Sequence, residues 1–379
     1  MHAKLNILYI SNLSGNPWAG PTYSVPAQIA AQARIDNVFW YNLSDLSNEK
    51  IVSNLQKLGW KDLAFYHDLA EFPHKDIAKL PDPFNKPDLI VLEQFYTYGN
   101  FPILLWRIIQ SKIPYIIIPR GELTRAAQHS KWLKKLLANR LSFYRFASKA
   151  VAIEYLTAQE AEESGSQWNQ HKIIVPNGII LPAPKTKTYI AKPYLQFVFL
   201  GRLDSYHKGI DLLLQACAKM QWDLRNANFK LDIYGPDRLD ERRTLETQSK
   251  SLNLQDMISF HDGLYGTKKA TVLEHADGFM MTSRFEGHPM GLIEALSYGL
   301  PCVVTTGTNM RLEIEKYNAG WTADNTAQSI AAALKKMLAQ REQFSPKSQN
   351  ARKLAEQYDW DKIAIKSHKI YEEILKRQK

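Results

Sequence analysis

The chain reads as an α/β protein of two doubly wound domains facing one another, each an open, mainly parallel sheet covered by helices. Three observations predict this. Its 379 residues exceed one routine core, and two domains of about 150 to 200 residues fit that length. Short apolar, β-branched runs alternate with longer amphipathic stretches, the pattern of parallel strands joined by crossover helices. Turn and linker signals fall near the middle, which favours two domains over one closed barrel.

In chain order, Leu5 to Ile10 is an apolar run short enough for a first strand, and a helical pattern begins after Thr22. Further strands are expected at 89–92, 115–118, 150–153 and 173–175, with helices at 101–110 and 131–139. Pro176-Asn177-Gly178 marks a turn, and Leu181-Pro182-Ala183-Pro184-Lys185 a crossing between domains. The second half opens with a strand at 195–200 and continues with strands at 229–233, 258–260, 278–281 and 301–305. Helices are expected between them at 208–220, 242–251, 268–275, 291–298 and 328–339. A last helix carries Ile363, Ile365, Ile370, Ile374 and Leu375 at periodic positions and is expected to pack back on the first domain. The expected domains are residues 1–185 and 186–356, with the terminal helix at 357–379.

Composition narrows the function classes. Hydrophobic residues at 45% and charged residues at 23% fit an ordered globular chain and exclude a disordered one. Cys217 and Cys302, the two cysteines, have no metal or redox spacing and read as buried thiols. The start, from Met1 to Ile10, lacks the long apolar core of a secretion signal, and no apolar run reaches membrane-spanning length, so the expected location is cytoplasmic. A net charge of +10 attracts anions in general. The densest basic segment runs from Arg125 to Lys149, with Lys131, Lys134, Lys135, Arg140 and Arg145 interleaved with Trp132, Leu133, Leu136, Leu137, Phe143, Tyr144 and Phe146. It has two readings: a surface resting on anionic lipid headgroups at the cytoplasmic face of a membrane, or ordinary core contacts with the lysines facing water. No recognition module accompanies the charge, so nucleic acid is not an expected partner.

The chemistry-bearing residues cluster in the second half. Gly201-Arg202-Leu203-Asp204 follows a strand, and Lys208-Gly209 opens the next helix, delivering two cations to the carboxyl end of a sheet, where ligands of open α/β sheets bind. Arg202 offers a planar fork to phosphate oxygens and Lys208 a compact charge; together they suit a departing diphosphate. Glu286 follows the strand ending at Met281, in a loop where Gly287 permits close backbone approach and Pro289 restrains the chain. Helix amides from Gly291 onward are ready for phosphate oxygens, with Met290 and Leu292 beside them. Glu294, one turn in, suits a ribose diol, leaving Glu286 nearer a sugar hydroxyl or the reacting carbon. The alternative is that both carboxylates are surface groups.

The first half offers weaker candidates. The Gly15 to Gly20 loop does not match the dinucleotide fingerprint; its glycines let backbone amides close over a phosphate, or simply make a flexible connection. Arg120 and Glu122 in Pro119-Arg120-Gly121-Glu122 are candidates for phosphate or donor sugar and for an acceptor hydroxyl, respectively. His67 is a further acceptor-side candidate, and a lone histidine is more often structural. No His, Asp, Glu or Cys group has metal-ligand spacing, so no metal and no cofactor is expected.

In this order, Gly15 to Gly20, Pro119-Arg120-Gly121, Val175-Pro176-Asn177-Gly178-Ile179, Gly201-Arg202 with Lys208-Gly209, and Glu286 to Glu294, the chain resembles the retaining glycosyltransferase family 4. The last two motifs make the match specific, and it extends over nearly the whole chain. The resemblance implies the GT-B fold of two facing Rossmann-like domains and a nucleotide-diphosphate sugar donor, UDP-sugar favoured, bound mainly by the second domain. By the same resemblance, Arg202 and Lys208 contact the diphosphate, Glu286 holds donor-sugar hydroxyls, Glu294 binds the ribose, Gly291 and Leu292 supply amides near the phosphates, and Leu264 lies near the base. His288, Gly287, Pro289 and Met290 line the same donor loop. Many relatives have histidine where this chain has Arg120, a departure that points to a different sugar or an altered loop.

The implied reaction is same-face transfer of a hexosyl or N-acetylhexosaminyl group to a hydroxyl of a glycan or lipid-linked acceptor in bacterial surface polysaccharide synthesis. Domain closure would exclude water and align donor with acceptor. Two other classes remain open at this stage: a nucleotide-sugar epimerase or hydrolase of similar fold, and a non-catalytic sugar-nucleotide-binding protein.

Overall fold

A computed structural model of the chain describes residues 3–15, 20–44, 48–57, 64–129, 132–183, 189, 194–237 and 240–378. The chain forms two compact units, Met1–Gly178 with Trp360–Lys379, and Ile179–Asp359.

Among the described residues of the first unit, seven strands form one parallel sheet: β1 (Asn6–Ser11), β2 (Asn37–Asn42), β3 (Tyr66–Asp68), β4 (Leu89–Glu93), β5 (Tyr115–Ile118), β6 (Ala152–Tyr155) and β7 (Lys172–Ile174). Their order, β3-β2-β1-β4-β5-β6-β7, reverses direction between β1 and β4. Both faces are buried, which is why the strands read as continuous apolar runs. Leu8, Ile10, Phe39, Ile90, Leu92 and Ile117 pack on one side, and Ile7, Tyr9, Trp40, Val91, Ile116 and Ile118 on the other. The terminal helix Trp360–Lys376 belongs to this unit: Tyr371 enters the second of these clusters, and Trp360, Ile363 and Ala364 pack with Ala27 and Ala31 of helix Pro21–Ala33.

The second unit repeats the architecture with β8 (Leu195–Leu200), β9 (Phe229–Tyr234), β10 (Ile258–His261), β11 (Gly278–Met281), β12 (Cys302–Thr305) and β13 (Gly320–Ala323). All described pairings are parallel, in the order β10-β9-β8-β11-β12-β13, with the reversal between β8 and β11. The division between units falls at Gly178, ahead of the expected residue 185, because Ile179 and Leu181 pack with the second core and the Ile179 amide donates to the Tyr358 carbonyl at 2.6 Å. Pro184 and Lys185 of the expected crossing lie outside the described residues. Strands β2, β3 and β13 were not anticipated, and β6 lies two residues beyond its expected place.

Candidate active site

The order reversal between β8 and β11 sends neighbouring crossovers to opposite faces of the second sheet and leaves a crevice at the carboxyl ends of these strands. The loop after β8 carries Arg202 and Lys208, and the loop after β11 carries Glu286. Lys208 Nζ lies 2.5 Å from Glu286 Oε1, with the two side chains 12% and 10% exposed. The Ser283 hydroxyl donates to the same carboxylate oxygen at 2.6 Å. Burial pushes the Glu286 carboxyl up, but the Lys208 ammonium and the Ser283 hydroxyl outweigh it and hold the group below its ordinary value of 4.5. Glu286 is therefore an anion at neutral pH.

Local sequence makes this meeting possible. Asp204 Oδ1 accepts from the His207 amide at 2.8 Å, and the Gly209 amide donates to the Tyr206 carbonyl, which turns the chain back on itself. Gly209 has φ 61°, and a Cβ there would stand 2.0 Å from the Thr282 carbonyl oxygen, so glycine lets the two loops touch. Arg284 clamps them from outside: its Nη1 and Nη2 each reach an Asp211 oxygen at 2.7 Å, and its amide donates to the His207 carbonyl. Asn309 Nδ2 donates to the Glu286 carbonyl and fixes the backbone beneath the carboxylate. Arg202 is tied to this pair of loops through His207, whose Nδ1 lies 3.1 Å from Arg202 Nη2.

Helix Met290–Ser297 starts over the end of β8, where a Cβ at Gly291 would stand 2.9 Å from the Leu200 carbonyl oxygen. The first bonds to the Pro289 carbonyl come from the Leu292 and Ile293 amides, so the Met290 and Gly291 amides precede the helical ladder at its positive end. Glu294 Oε1 lies 2.5 Å from Lys269 Nζ, a partner on helix Gly266–His275. Leu264 is half-buried against the same core, the Leu292 side chain is fully buried, and the space around Gly287 is open. Burial lowers the pKa of His288 to about 3, so this ring, edge-on to Tyr358, stays neutral.

The first unit treats its candidates differently. Arg120 donates five hydrogen bonds: to both Glu93 oxygens at 2.6 and 3.2 Å, to Ser24 and Asn177 from Nη1, and to Gln28 from Nη2. A guanidinium has five N–H donors, so none remains for a phosphate or sugar; the expected donor contact is corrected to a buried structural ion pair, 4% exposed. Glu122 Oε2 accepts from the Phe95 and Tyr96 amides at 2.6 and 2.9 Å, which ties this carboxylate to the turn after β4. His67 stacks on Phe39 at 3.9 Å and lies 2.8 Å from Glu71. Gly15, with φ 67°, and Gly20 both follow β1, beside that sheet's own order reversal; residues 16–19 between them lie outside the described residues.

Sequence reasoning missed His207, Ser283, Lys269 and Asn309. Ser283 and His207 lie close in sequence to Glu286 and Arg202, whereas Asn309 and Lys269 reach their partners from 23 and 25 positions away, with no spacing to announce the pairs. Among the described residues, no group of three or more His, Cys, Asp or Glu is placed to hold a metal ion.

Residues 184–357 match the family model described as Glycosyl transferases group 1. The chain is related to the group 1 glycosyltransferases. Mannosylfructose-phosphate synthase of Agrobacterium fabrum is 33% identical over 28% of this chain and 24% of its own length. Lipopolysaccharide 1,6-galactosyltransferase of Escherichia coli is 28% identical over 33% of this chain and 32% of its own. The chain matches from 24% to 58% of the length of the first curated relatives. The solved structure of Anabaena HepE in complex with UDP and glucose superposes with a TM-score of 0.71 over 97% of this chain and 100% of that one, at 14% identity. Two parallel sheets each flanked by helices are thus the two-Rossmann-domain GT-B architecture of these structures.

Replacing Arg120 by alanine leaves Glu93 buried without its cation, and urea unfolding should show a loss of about 3–5 kcal/mol. A loss under about 1 kcal/mol, the size of an exposed pair, would contradict the structural role.

Proposed function

We propose that the chain is a retaining glycosyltransferase of family 4 that transfers a hexosyl or N-acetylhexosaminyl group from a UDP-sugar to a hydroxyl of a lipid-linked glycan. The observation that carries this reading is the meeting of Lys208, Glu286 and the first amides of helix Met290–Ser297 at the β8/β11 reversal. A diphosphate seated there meets Arg202, Lys208 and the Met290 and Gly291 amides, which oppose the charge that develops as the anomeric bond breaks. Glu286 accepts from donor-sugar hydroxyls, and Glu294 exchanges its Lys269 partner for a ribose diol. The new bond forms on the face the diphosphate leaves: the carbon–oxygen bond to phosphate opens, the acceptor oxygen bonds to the same carbon, and its proton passes to the departing phosphate oxygen. No side-chain base is required. The UDP and glucose of HepE favour this donor, and the galactosyltransferase of lipopolysaccharide favours a surface-glycan acceptor.

The basic segment supports a lipid-linked acceptor and peripheral attachment. From Leu123 to Ile153 the chain holds seven lysines and arginines and no acidic residue. No residue of helix Trp132–Ala138 is buried; Trp132, Leu133 and Leu137 are each more than half exposed, and Leu141 beyond it is 83% exposed. The core-contact reading holds for Phe143 and Phe146, which are buried, and fails for Trp132 and Leu136. Such a surface fits an anionic bilayer, where each cation contributes about 1 kcal/mol and the apolar side chains reach the headgroup boundary. Its uniform charge opposes pairing with a second copy of itself.

In a screen of nucleotide-sugar donors against lipid-linked and soluble glycans, R202A, K208A and E286Q should each lower turnover by about 10²–10³-fold, and E294Q should chiefly weaken donor binding. NMR of the product should show the donor's anomeric configuration. Full transfer by R202A and E286Q counts against the site, and an inverted product against retention. Donor conversion without any acceptor favours the epimerase or hydrolase class, and tight binding without turnover a regulatory protein.

In co-sedimentation, the chain should bind vesicles containing phosphatidylglycerol, and the exposed triple variant L133E/L137E/L141E should bind at least about tenfold less. Equal binding to neutral and anionic vesicles would contradict the role of the basic residues, and binding to neither would contradict membrane attachment.

A further inference from the structure

His207 stands between the arginine proposed for the diphosphate and the loop that carries Glu286. Its Nε2 lies 2.8 Å from the Phe285 carbonyl oxygen and its Nδ1 3.1 Å from Arg202 Nη2. A carbonyl only accepts and a guanidinium only donates, so the two partners fix the ring as the neutral tautomer with hydrogen on Nε2 and a lone pair on Nδ1. The ring cannot turn freely: it stacks on Phe285 at a centroid distance of 4.2 Å and an interplanar angle of 11°. Its backbone is held at both ends, the amide by Asp204 and the carbonyl by the Arg284 amide.

We infer that His207 positions Arg202 by accepting its hydrogen bond on Nδ1, and that protonation of the ring releases the guanidinium. This rests on the reading that Arg202 meets the diphosphate, and adds a control on it. The groups facing the ring come from both loops: Arg202, Asp204 and Lys208 after β8, and Glu286 after β11. Burial and then Lys208 and Arg202 disfavour a further positive charge, Glu286 and Asp204 favour it, and the balance lies below the free imidazole value of 6.5. Arg202 is therefore held at neutral pH, and the bond is lost only as pH falls below the ordinary imidazole range. A proton on Nδ1 would point at an N–H of Arg202. Its nearest acidic neighbour is Asp204 Oδ2, 3.8 Å away, so protonation exchanges Arg202 for Asp204 as the partner of Nδ1.

The test measures UDP binding by calorimetry from about pH 8 to about pH 5.5 for the natural chain, H207A, H207N and R202A. Asparagine keeps an acceptor oxygen near the place of Nδ1 and does not titrate. At the upper pH, H207A should bind UDP about tenfold more weakly and H207N within about threefold of the natural chain. As pH falls, the natural chain should lose affinity relative to H207N; the titration of UDP itself is common to both and cancels in the ratio. A ratio that stays constant with pH, or an H207A chain that binds UDP as tightly as the natural one, overturns the inference. If R202A binds UDP undiminished, the diphosphate role of Arg202 fails first. If R202A is impaired while H207A and the pH ratio are unchanged, only the positioning role falls.

Discussion

The ion pair between Lys208 and Glu286 joins the two loops that flank the order reversal of the second sheet, and the rest of the candidate site is arranged around it. Two charges so little exposed lose hydration and hold together only if their remaining hydrogen-bonding capacity is met. Ser283 meets part of it, Asn309 fixes the backbone carbonyl of Glu286, and Gly209 brings the two backbones into contact. In the proposed reaction an incoming diphosphate shares Lys208, so the pair that shapes the site is also the one that ligand binding redistributes.

The first unit turns its ionisable groups inward instead. Arg120 and Glu93 neutralise one another beneath the sheet's carboxyl edge, and Glu154, which burial raises to about 8, accepts from the Tyr371 hydroxyl at 2.7 Å. His368 lies 2.9 Å from Asp36, again joining the terminal helix to the early part of the chain. These contacts give the terminal helix polar as well as apolar reasons to stay with the first unit. A buried group left without its partner costs far more than the net value of the pair, so they make the arrangement specific.

Much of the second unit was legible in the sequence because its chemistry is local. A strand followed by Gly201-Arg202, a helix preceded by Lys208-Gly209, and two glutamates eight positions apart announce themselves through strand ends and helix starts. The same local signal misled at Arg120, another arginine just after a strand. What separates Arg202 from Arg120 is Glu93, which arrives from β4, and no spacing rule reveals it. Strand β6 was placed two residues early because Glu154 interrupts its apolar run; burial keeps this carboxyl largely protonated at neutral pH, and it accepts a hydrogen bond from Tyr371, 217 positions away. Strands β2, β3 and β13 were missed for a related reason. β3 and β13 are short and carry polar or glycine residues, while β2 begins and ends in asparagine; the partners that satisfy Asn42, Ser11 at the end of β1 and the Leu13 amide just beyond it, come from elsewhere in the chain.

The central claim is that a sugar diphosphate is held where β8 and β11 diverge. Amide hydrogen exchange of the full chain, with and without UDP-glucose, tests it most directly. Added donor should slow exchange in residues 201–209 and 282–292 of the second unit and leave the loop around Arg120 and Glu122 unchanged. Slowed exchange elsewhere, with both of these segments unaffected, would contradict the account.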